Sequence, residues 1–353
     1  MTTPYPHGGD VERAARQAGV ASDCILDFSS NINPMGLPAG AAERLAREAR
    51  DPRMWNRYPD PQYGELRRAI SRYAGVAPES IVIASGADSL IHAAVRALAP
   101  DRCVIPIPAF SEYERACKAA GCESSPGPLR PGDLLILNNP HNPSGACASR
   151  DEMLEQIGAA AAAGAAVLAD EAFIDYVPES AITQYASQTG GVISIRSLTK
   201  FFGCPGLRAG YAVAIPDTAR VVGEQLPPWP VTTLAANALA EALQDADYPS
   251  AAREQNRQRR ERFAAALSAL GCDALPGAAN FLLLRTPAGS NAVQIRDRLL
   301  REHAILVREC DSFAGLEPGR YLRVAVRRDD ENQRLITALA NILREIPCLP
   351  THP

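Results

Sequence analysis

The chain has 353 residues, 46% of them hydrophobic and 22% charged, with a formal net charge of −4 at pH 7. This is the profile of a soluble globular protein with room for one large and one smaller domain, and its acid excess argues against a nucleic-acid surface. No stretch approaches the ~20 apolar residues of a membrane span, and the start Met-Thr-Thr-Pro-Tyr-Pro-His-Gly-Gly-Asp lacks the basic region and apolar core of a signal peptide.

In chain order, short apolar runs alternate with helical patterns. Residues 81–83, 103–105, 134–137, 165–168, 192–195 and 211–214 read as buried strands, with helices expected near 87–99, 111–120 and 150–162. The alanine-rich run 158–163 reads as a helix end. Such alternation predicts a mostly parallel sheet covered on both faces, with ligands outside the carboxyl ends of its strands. Beyond Leu226-Pro-Pro-Trp-Pro230 the pattern changes: a long helix at 248–270, a strand at 280–284, a helix near 291–302, a strand at 321–326 and a last helix from about 329. The expected division is an N-terminal arm (1–35) packing with the small domain, a large domain (36–229), and an interdomain helix with a small α/β domain (230–353). The run Arg257-Gln-Arg-Arg-Glu-Arg262 reads as the solvated face of the long helix. The nine cysteines are an odd number without a Cys-x-x-Cys pair, which predicts reduced thiols in a cytoplasmic protein and neither a disulfide frame nor a zinc site.

Chemistry-bearing residues follow these strands. Gly86-Ala87-Asp88-Ser89 opens a helix, where backbone N–H groups bind phosphate, although the same residues also make a good helix cap. Phe110, in Pro106-Ile-Pro-Ala-Phe-Ser-Glu-Tyr113, fits a ring-stacking partner or a core aromatic. Asn142 lies in Asn138-Asn-Pro-His-Asn-Pro-Ser-Gly145, whose prolines and glycine force a defined turn. Its amide either serves a ligand or completes a polar turn. Asp170 ends the run Ala165-Ala-Val-Leu-Ala-Asp, at a ligand or at a helix cap.

The most specific stretch is Ser197-Leu-Thr199-Lys200, followed by Arg208. A lysine at the end of a buried strand has its charged form disfavoured by desolvation, which suits it to form a Schiff base. Ser197, Thr199 and Arg208 suit a phosphate. Together these residues meet the needs of pyridoxal 5'-phosphate (PLP). Lys200 would take the aldehyde, Asp170 the pyridine nitrogen, Asn142 the phenolate oxygen and Phe110 the ring face. Gly86, Ala87, Asp88, Ser197, Thr199 and Arg208 would form the phosphate cup. Cys204, close to Lys200, reads as a small packing residue.

Asn-Pro-x-Asn-Pro-Ser-Gly, Asp-Glu-Ala, Ser-x-Thr-Lys and an arginine eight residues beyond the lysine, in this order, resemble the motifs of the fold type I PLP-dependent enzymes. These form the aspartate aminotransferase superfamily, and the likeness runs through nearly the whole chain. It implies an α/β fold, with a mostly parallel sheet covered by helices in a large domain and a smaller α/β C-terminal domain. It also implies that Lys200 and Asp170 are catalytic. Tyr58, in Asn56-Arg-Tyr-Pro-Asp-Pro-Gln62, would reach the cofactor phosphate of a neighbouring subunit, hence a homodimer with shared active sites. Arg323, in Tyr-Leu-Arg-Val-Ala-Val, would bind the substrate carboxylate.

Two branches of the family compete: histidinol-phosphate aminotransferases and the L-threonine-O-3-phosphate decarboxylases of cobalamin biosynthesis. His7-Gly-Gly-Asp, followed by Leu26-Asp-Phe-Ser-Ser-Asn31-Ile-Asn33-Pro, resembles the decarboxylase opening, in which the histidine and first asparagine help bind the substrate phosphate. Phe173 stands where the family usually has a tyrosine, a departure that resembles the decarboxylases. The segment Val324-Ala-Val-Arg327-Arg-Asp-Asp-Glu-Asn332 resembles their C-terminal region. The implied reaction is loss of CO2 from a small phosphorylated amino acid, with His7, Asn31, Arg150, Arg323 and Arg327 as candidate anion ligands. Transamination of histidinol phosphate or a related substrate is the alternative. No metal, nucleic-acid or membrane partner is expected.

Overall fold

A computed structural model describes residues 7–345; residues 1–6 and 346–353, Cys348 among them, lie outside the described residues. In chain order the strands are β1 (Leu26–Asp27), β2 (Ile81–Ala84), β3 (Arg102–Val104), β4 (Glu123–Ser124), β5 (Asp133–Asn138), β6 (Ala166–Asp170), β7 (Val192–Ser197), β8 (Gly210–Val213), β9 (Asp273–Ala274), β10 (Phe281–Arg285), β11 (Ile305–Leu306), β12 (Arg308–Glu309) and β13 (Tyr321–Ala325). The helices are α1 (Val11–Ala18), α2 (Ala39–Glu48), α3 (Gly64–Ala74), α4 (Ala87–Leu98), α5 (Ser111–Ala120), α6 (Arg150–Ala162), α7 (Thr183–Ala186), α8 (Leu198–Phe201), α9 (Pro216–Glu224), α10 (Thr233–Ala242), α11 (Tyr248–Ala269), α12 (Ala292–His303) and α13 (Asp329–Glu345).

The main sheet has the strand order β2-β8-β7-β6-β5-β3-β4. Pairing is parallel from β4 to β7, and β8 runs antiparallel to both β7 and β2. Successive residues of β5 face opposite ways. Leu134 and Ile136 pack with Leu90, Ile91 and Tyr113 of α4 and α5, whereas Leu135 and Leu137 pack with Met153 and Ile157 of α6. A strand buried on both faces has no polar side to alternate, which is why its sequence is a continuous apolar run. Each of those side chains contributes roughly 1.5–3 kcal/mol on leaving water. The mostly parallel, helix-covered α/β sheet expected from the sequence is the one found.

A second, antiparallel sheet, β12-β13-β10-β9, packs around Phe263, Leu282, Leu322 and Leu339. β1 pairs with β11, Leu26 opposite Ile305, and α1 packs on α12 through Ala14, Ala15 and Leu300. At 22 residues α11 reaches both cores: Tyr248 and Ala252 belong to the main-sheet side, Phe263 and Leu267 to the smaller sheet. Its arginine run is divided. Arg257 and Arg262 are exposed and paired with acids, but Arg260 turns inward and donates to the Ala278 and Ala279 carbonyls. Helix α10 is not legible from apolar spacing, because six of its ten residues are buried alanines or leucine and it has little polar face. Among the described residues no helix is long and apolar enough to cross a membrane.

Candidate active site

The carboxyl ends of β5, β6 and β7 meet at one place, and Asn138, the last residue of β5, ties two of them together. Its Nδ2 donates to the Asp170 carbonyl at 2.9 Å, and its Oδ1 accepts the Asn142 N–H at 2.7 Å. Asn139 holds the far side of the turn through two bonds with Ala148, at 2.9 and 3.0 Å. His141 pins the turn to the preceding loop, its Nε2 meeting the Pro108 carbonyl and its Nδ1 the Ser144 hydroxyl, both at 2.7 Å. Burial lowers the His141 pKa; a neutral ring that donates through Nε2 and accepts at Nδ1 satisfies both contacts. The Asn142 side chain is thereby aimed. Its Oδ1 accepts from Arg323 Nη1 at 2.5 Å, and its Nδ2 has no partner among the described residues.

Asp170 is 5% exposed. Tyr113 donates its hydroxyl to Oδ2 at 2.5 Å, and the Ala172 N–H donates to Oδ1 at 3.0 Å. Burial nevertheless pushes the carboxyl up to about 6, with the two hydrogen bonds opposing. Phe110 caps the start of α5, half-buried, and its ring meets Tyr113 edge-on with centroids 5.7 Å apart. The sequence reading passed over Tyr113. Its signal was the spacing, since a residue three beyond Phe110 on the opening turn of a helix returns to the same face.

Lys200 lies in the short helix α8, directly after β7, and its Nζ has no hydrogen-bond or ion-pair partner among the described residues. Burial lowers its pKa from the ordinary lysine value; Asp88 opposes this, Arg323 and Arg208 add to it, and Asp170 opposes. Asn33 braces α8 from the N-terminal segment: its N–H donates to the Lys200 carbonyl at 3.1 Å and its Nδ2 to the Phe201 carbonyl at 2.8 Å. The approach is so close that a Cβ on Gly203, at φ +62, would lie 2.6 Å from Gly36 Cα. Cys204 packs in the core near Tyr248, and burial pushes its thiol up to about 12, as suits a packing role.

A cup for an anion is built beside the amine. Gly86 (φ +87) precedes α4, and a Cβ there would lie 2.7 Å from Arg208 Nη2. Only glycine lets the guanidinium sit against this helix N-terminus. The Ser197 and Thr199 hydroxyls lie 3.0 Å apart, both buried. Arg208 is exposed and has no ion-pair partner among the described residues.

The anion ligands expected for the substrate separate into groups. Arg323 is 6% exposed, donates to Asn142 and, at 2.9 Å, to the Ser29 carbonyl, and lies over the Phe281 ring at 5.5 Å. Phe281 in turn meets Phe173 edge-on at 5.1 Å, so Phe173 backs the ring that underlies the arginine. No carboxylate pairs with Arg323 among the described residues, and burial lowers its pKa to about 10, still cationic at neutral pH. Its Nε and the Oδ1 of nearby Asn31 are buried without partners. His7 is elsewhere: its Nε2 lies 2.8 Å from Glu112, and its ring tilts against Phe110 at 5.8 Å. Glu112, 3% exposed, also meets Arg115 at 3.2 Å and His92 at 3.5 Å. Arg327 bonds the Asp27 carbonyl and Glu331. Arg150 is the exposed first residue of α6, bonded to none of the others. Tyr58 is 78% exposed and stacked on Trp229 at 4.3 Å.

If Arg323 binds the substrate carboxylate, Arg323→Lys is expected to raise KM for an amino-acid substrate about tenfold to a hundredfold with a smaller loss in kcat, because an ammonium keeps the charge but not the fork that bonds Asn142 and would also take a carboxylate. Steady-state kinetics check this, and an unchanged KM would remove Arg323 from the site.

The chain matches the family model of aminotransferase class I and II over residues 23–339. It is 35% identical to threonine-phosphate decarboxylase of Salmonella typhimurium, across 96% of this chain and 97% of that one. The crystal structure of L-threonine-O-3-phosphate decarboxylase from Porphyromonas gingivalis superposes with a TM-score of 0.81 at 26% identity, covering 91% of this chain and 100% of that one. Histidinol-phosphate aminotransferase from Sinorhizobium meliloti, in complex with pyridoxal-5'-phosphate, superposes with a TM-score of 0.84 at 25% identity, covering 97% and 96%.

Proposed function

Because the chain belongs to the class I and II aminotransferase family, we propose that it is a PLP-dependent carboxy-lyase. The substrate is L-threonine O-3-phosphate, and the products are CO2 and (R)-1-amino-2-propanol O-2-phosphate, in cobalamin biosynthesis. The observation that carries this reading is the Ser29–Asn33 segment, which bonds Arg323 at one end and the Lys200 carbonyl at the other, at 2.9 and 3.1 Å. The segment expected to recognise a substrate phosphate is thus packed against both the lysine and the arginine expected to hold a carboxylate. The decarboxylase of 35% identity supports the same choice.

The unpaired polar groups of the site fit PLP. Asn142 has a free amide N–H pair for the phenolate oxygen, Asp170 a carboxylate that a protonated ring nitrogen would pair, and Lys200 an unpartnered amine. Arg208, Ser197, Thr199 and the α4 N-terminus at Gly86, Ala87 and Asp88 offer donors for the phosphate. Phe110 is the aromatic for the ring face. When bound, PLP supplies an aldehyde that captures the substrate amine and a protonated ring that accepts the electron pair released at Cα.

The protein's part is placement and proton handling. Arg323 fixes the substrate carboxylate in a buried setting, where a charge-assisted pair is strong because water does not compete. Asn31 is the candidate for the phosphate that lies in the Ser29–Asn33 segment, with His7, Arg327 and Arg150 as the further candidates named from the sequence. Lys200, its ammonium disfavoured by burial, gives up a proton more readily than an exposed lysine and returns one to Cα after CO2 leaves. Asp170 keeps the ring nitrogen protonated. In transamination the same lysine moves a proton from Cα instead, so the anion ligands decide the outcome by which bond they hold in line.

The test is incubation with L-threonine O-3-phosphate and PLP. CO2 with an aminopropanol phosphate is expected. No CO2, but conversion of the cofactor to its pyridoxamine form by histidinol phosphate, would move the protein to the aminotransferase branch.

The enzyme works as a homodimer with shared sites, in the cytoplasm. Tyr58, Trp55, Ile107 and Trp229 are large apolar side chains left exposed on one chain, and the described cysteines are all free. Tyr58→Ala is expected to leave folding intact and weaken PLP retention about tenfold, the worth of one hydrogen bond to a charged phosphate. Cofactor titration and sedimentation measure this; unchanged affinity in a dimer would remove the role given to Tyr58.

A further inference from the structure

Helix α5 ends on Gly121, in the left-handed conformation at φ +75. This cap turns the chain back under the helix, so that the Cys122 N–H donates to the Cys117 carbonyl at 3.0 Å and the Gly121 N–H to the Lys118 carbonyl at 3.2 Å. Caps of this kind bring the second residue past the helix onto a side chain of its last turn, and here both are cysteines. The chain then enters β4, which pairs parallel to β3 with Ser124 opposite Cys103. The result is a cluster of three thiols at the edge of the main sheet. The Cys103 and Cys122 sulfurs lie 3.6 Å apart, and all three sulfurs fall within 4.8 Å of one another. Each is a free thiol. Cys103 and Cys117 are fully buried and Cys122 is partly exposed, which opens the cluster to solvent on one side. The sequence spacing hid this, because none of the three is near another in a recognisable ligand motif.

We propose that Cys103, Cys117 and Cys122 form a three-thiolate binding site for a trivalent thiophilic ion of the arsenite class. A three-coordinate ion with bonds to sulfur of about 2.3 Å and angles of roughly 95–120° holds its sulfurs about 3.4–4.0 Å apart. The pair at 3.6 Å already meets that range, and the other separations, all within 4.8 Å, exceed it by less than about 1 Å, within the reach of thiol rotation. Soft sulfur ligands select soft ions, and charge selects among these. Three thiolates leave two negative charges around a monovalent ion, one around a divalent ion and none around a trivalent ion. Among the described residues no lysine, arginine or histidine is bonded to any of the three sulfurs, whose recorded partners are one another and the Cys117 carbonyl. An uncompensated charge in such a place is strongly disfavoured. With arsenious acid the step balances without redox change. Three As–OH bonds and three S–H bonds break, three As–S bonds form, and three waters leave.

The test uses the reduced, PLP-loaded enzyme with one equivalent of sodium arsenite, followed by desalting, arsenic counting by mass spectrometry and titration of the remaining thiols. One arsenic retained per chain with three thiols protected is expected. Cys122→Ser, which alters the partly exposed member, is expected to lower retention about tenfold or more through loss of one of three bonds, and Cys24→Ser, an exposed cysteine outside the cluster, to retain it fully. Retention equal to wild type in Cys122→Ser, loss of retention in Cys24→Ser, or protection of only two thiols overturns the proposal. So does preferential retention of zinc or copper(I) in competition with arsenite. The thiol count on the wild-type enzyme decides the matter even if a variant fails to fold.

Discussion

Lys200→Ala is expected to lower turnover of L-threonine O-3-phosphate by about 10⁴-fold, the combined loss of a nucleophile and of a positioned proton donor. Fold stability is expected to change little. The amine has no bonded partner among the described residues, and its removal relieves a charge that burial already disfavours. The variant should therefore purify as a folded protein that still takes up PLP through Asn142, Asp170 and the phosphate cup, but without a covalent link. Steady-state CO2 release gives the rate, and a shift in the absorbance of bound cofactor reports the missing bond. A small exogenous amine is expected to restore part of the rate, which it would not do for a residue that only supports the fold. Turnover near the wild-type rate would sink the assignment of Lys200.

Asp170→Asn is expected to lower turnover by about 10³-fold and, in the cofactor-free protein, to raise stability above about pH 6. The folded carboxyl titrates at about 6 instead of 3.8, mainly because it is buried. Below about pH 4 it is protonated in the folded and unfolded chains alike. Between those values the unfolded chain ionises while the folded one retains its proton, so stability falls as pH rises. Above about 6 the full penalty is present, at most about 3 kcal/mol. Asparagine removes the charge, keeps Oδ1 as acceptor for the Ala172 N–H, and presents its Nδ2 as a donor to the Tyr113 oxygen, so the variant escapes the penalty. Denaturant midpoints of the cofactor-free proteins at pH 5 and pH 8 measure it: the gap between variant and wild type should be about half open at pH 5 and fully open at pH 8. Adding PLP should close the gap for wild type, because a protonated ring nitrogen gives the carboxylate its missing partner. A variant no more stable than wild type at pH 8 would show that Asp170 is not the strained carboxylate inferred.

The two residues differ in how they were legible. Lys200 and Asp170 could be singled out because each closes an apolar run, and a polar residue at the end of a buried strand is conspicuous. Asn142 was legible through the prolines around it. Tyr113, Asn138 and Glu112 were not, because their importance comes from partners 57, 32 and 105 residues away in sequence or more: Asp170 for the first two, His7 for the third. The cysteine cluster was missed for the same reason. Its three members are separated by a helix and a turn, and only a left-handed cap folds them together.

By itself the sequence determined six of the seven strands of the main sheet, all but the two-residue β4, with the helices α4, α5 and α6, the burial of the sheet on both faces, and the motif residues at its carboxyl edge. These follow from short-range chemistry, since apolar period, turn residues and strand-end polar groups are written within a few positions of one another. Only the tertiary structure decided which of the candidate anion ligands meet. It joined Arg323 to Asn142 and to the Ser29 segment, set His7 against Glu112 and Phe110, and left Arg150 on the surface. The reason is physical. A charged side chain reads alike in sequence whether it is solvated, paired or held unpaired in the interior, and only the packing of distant segments settles which of the three it is.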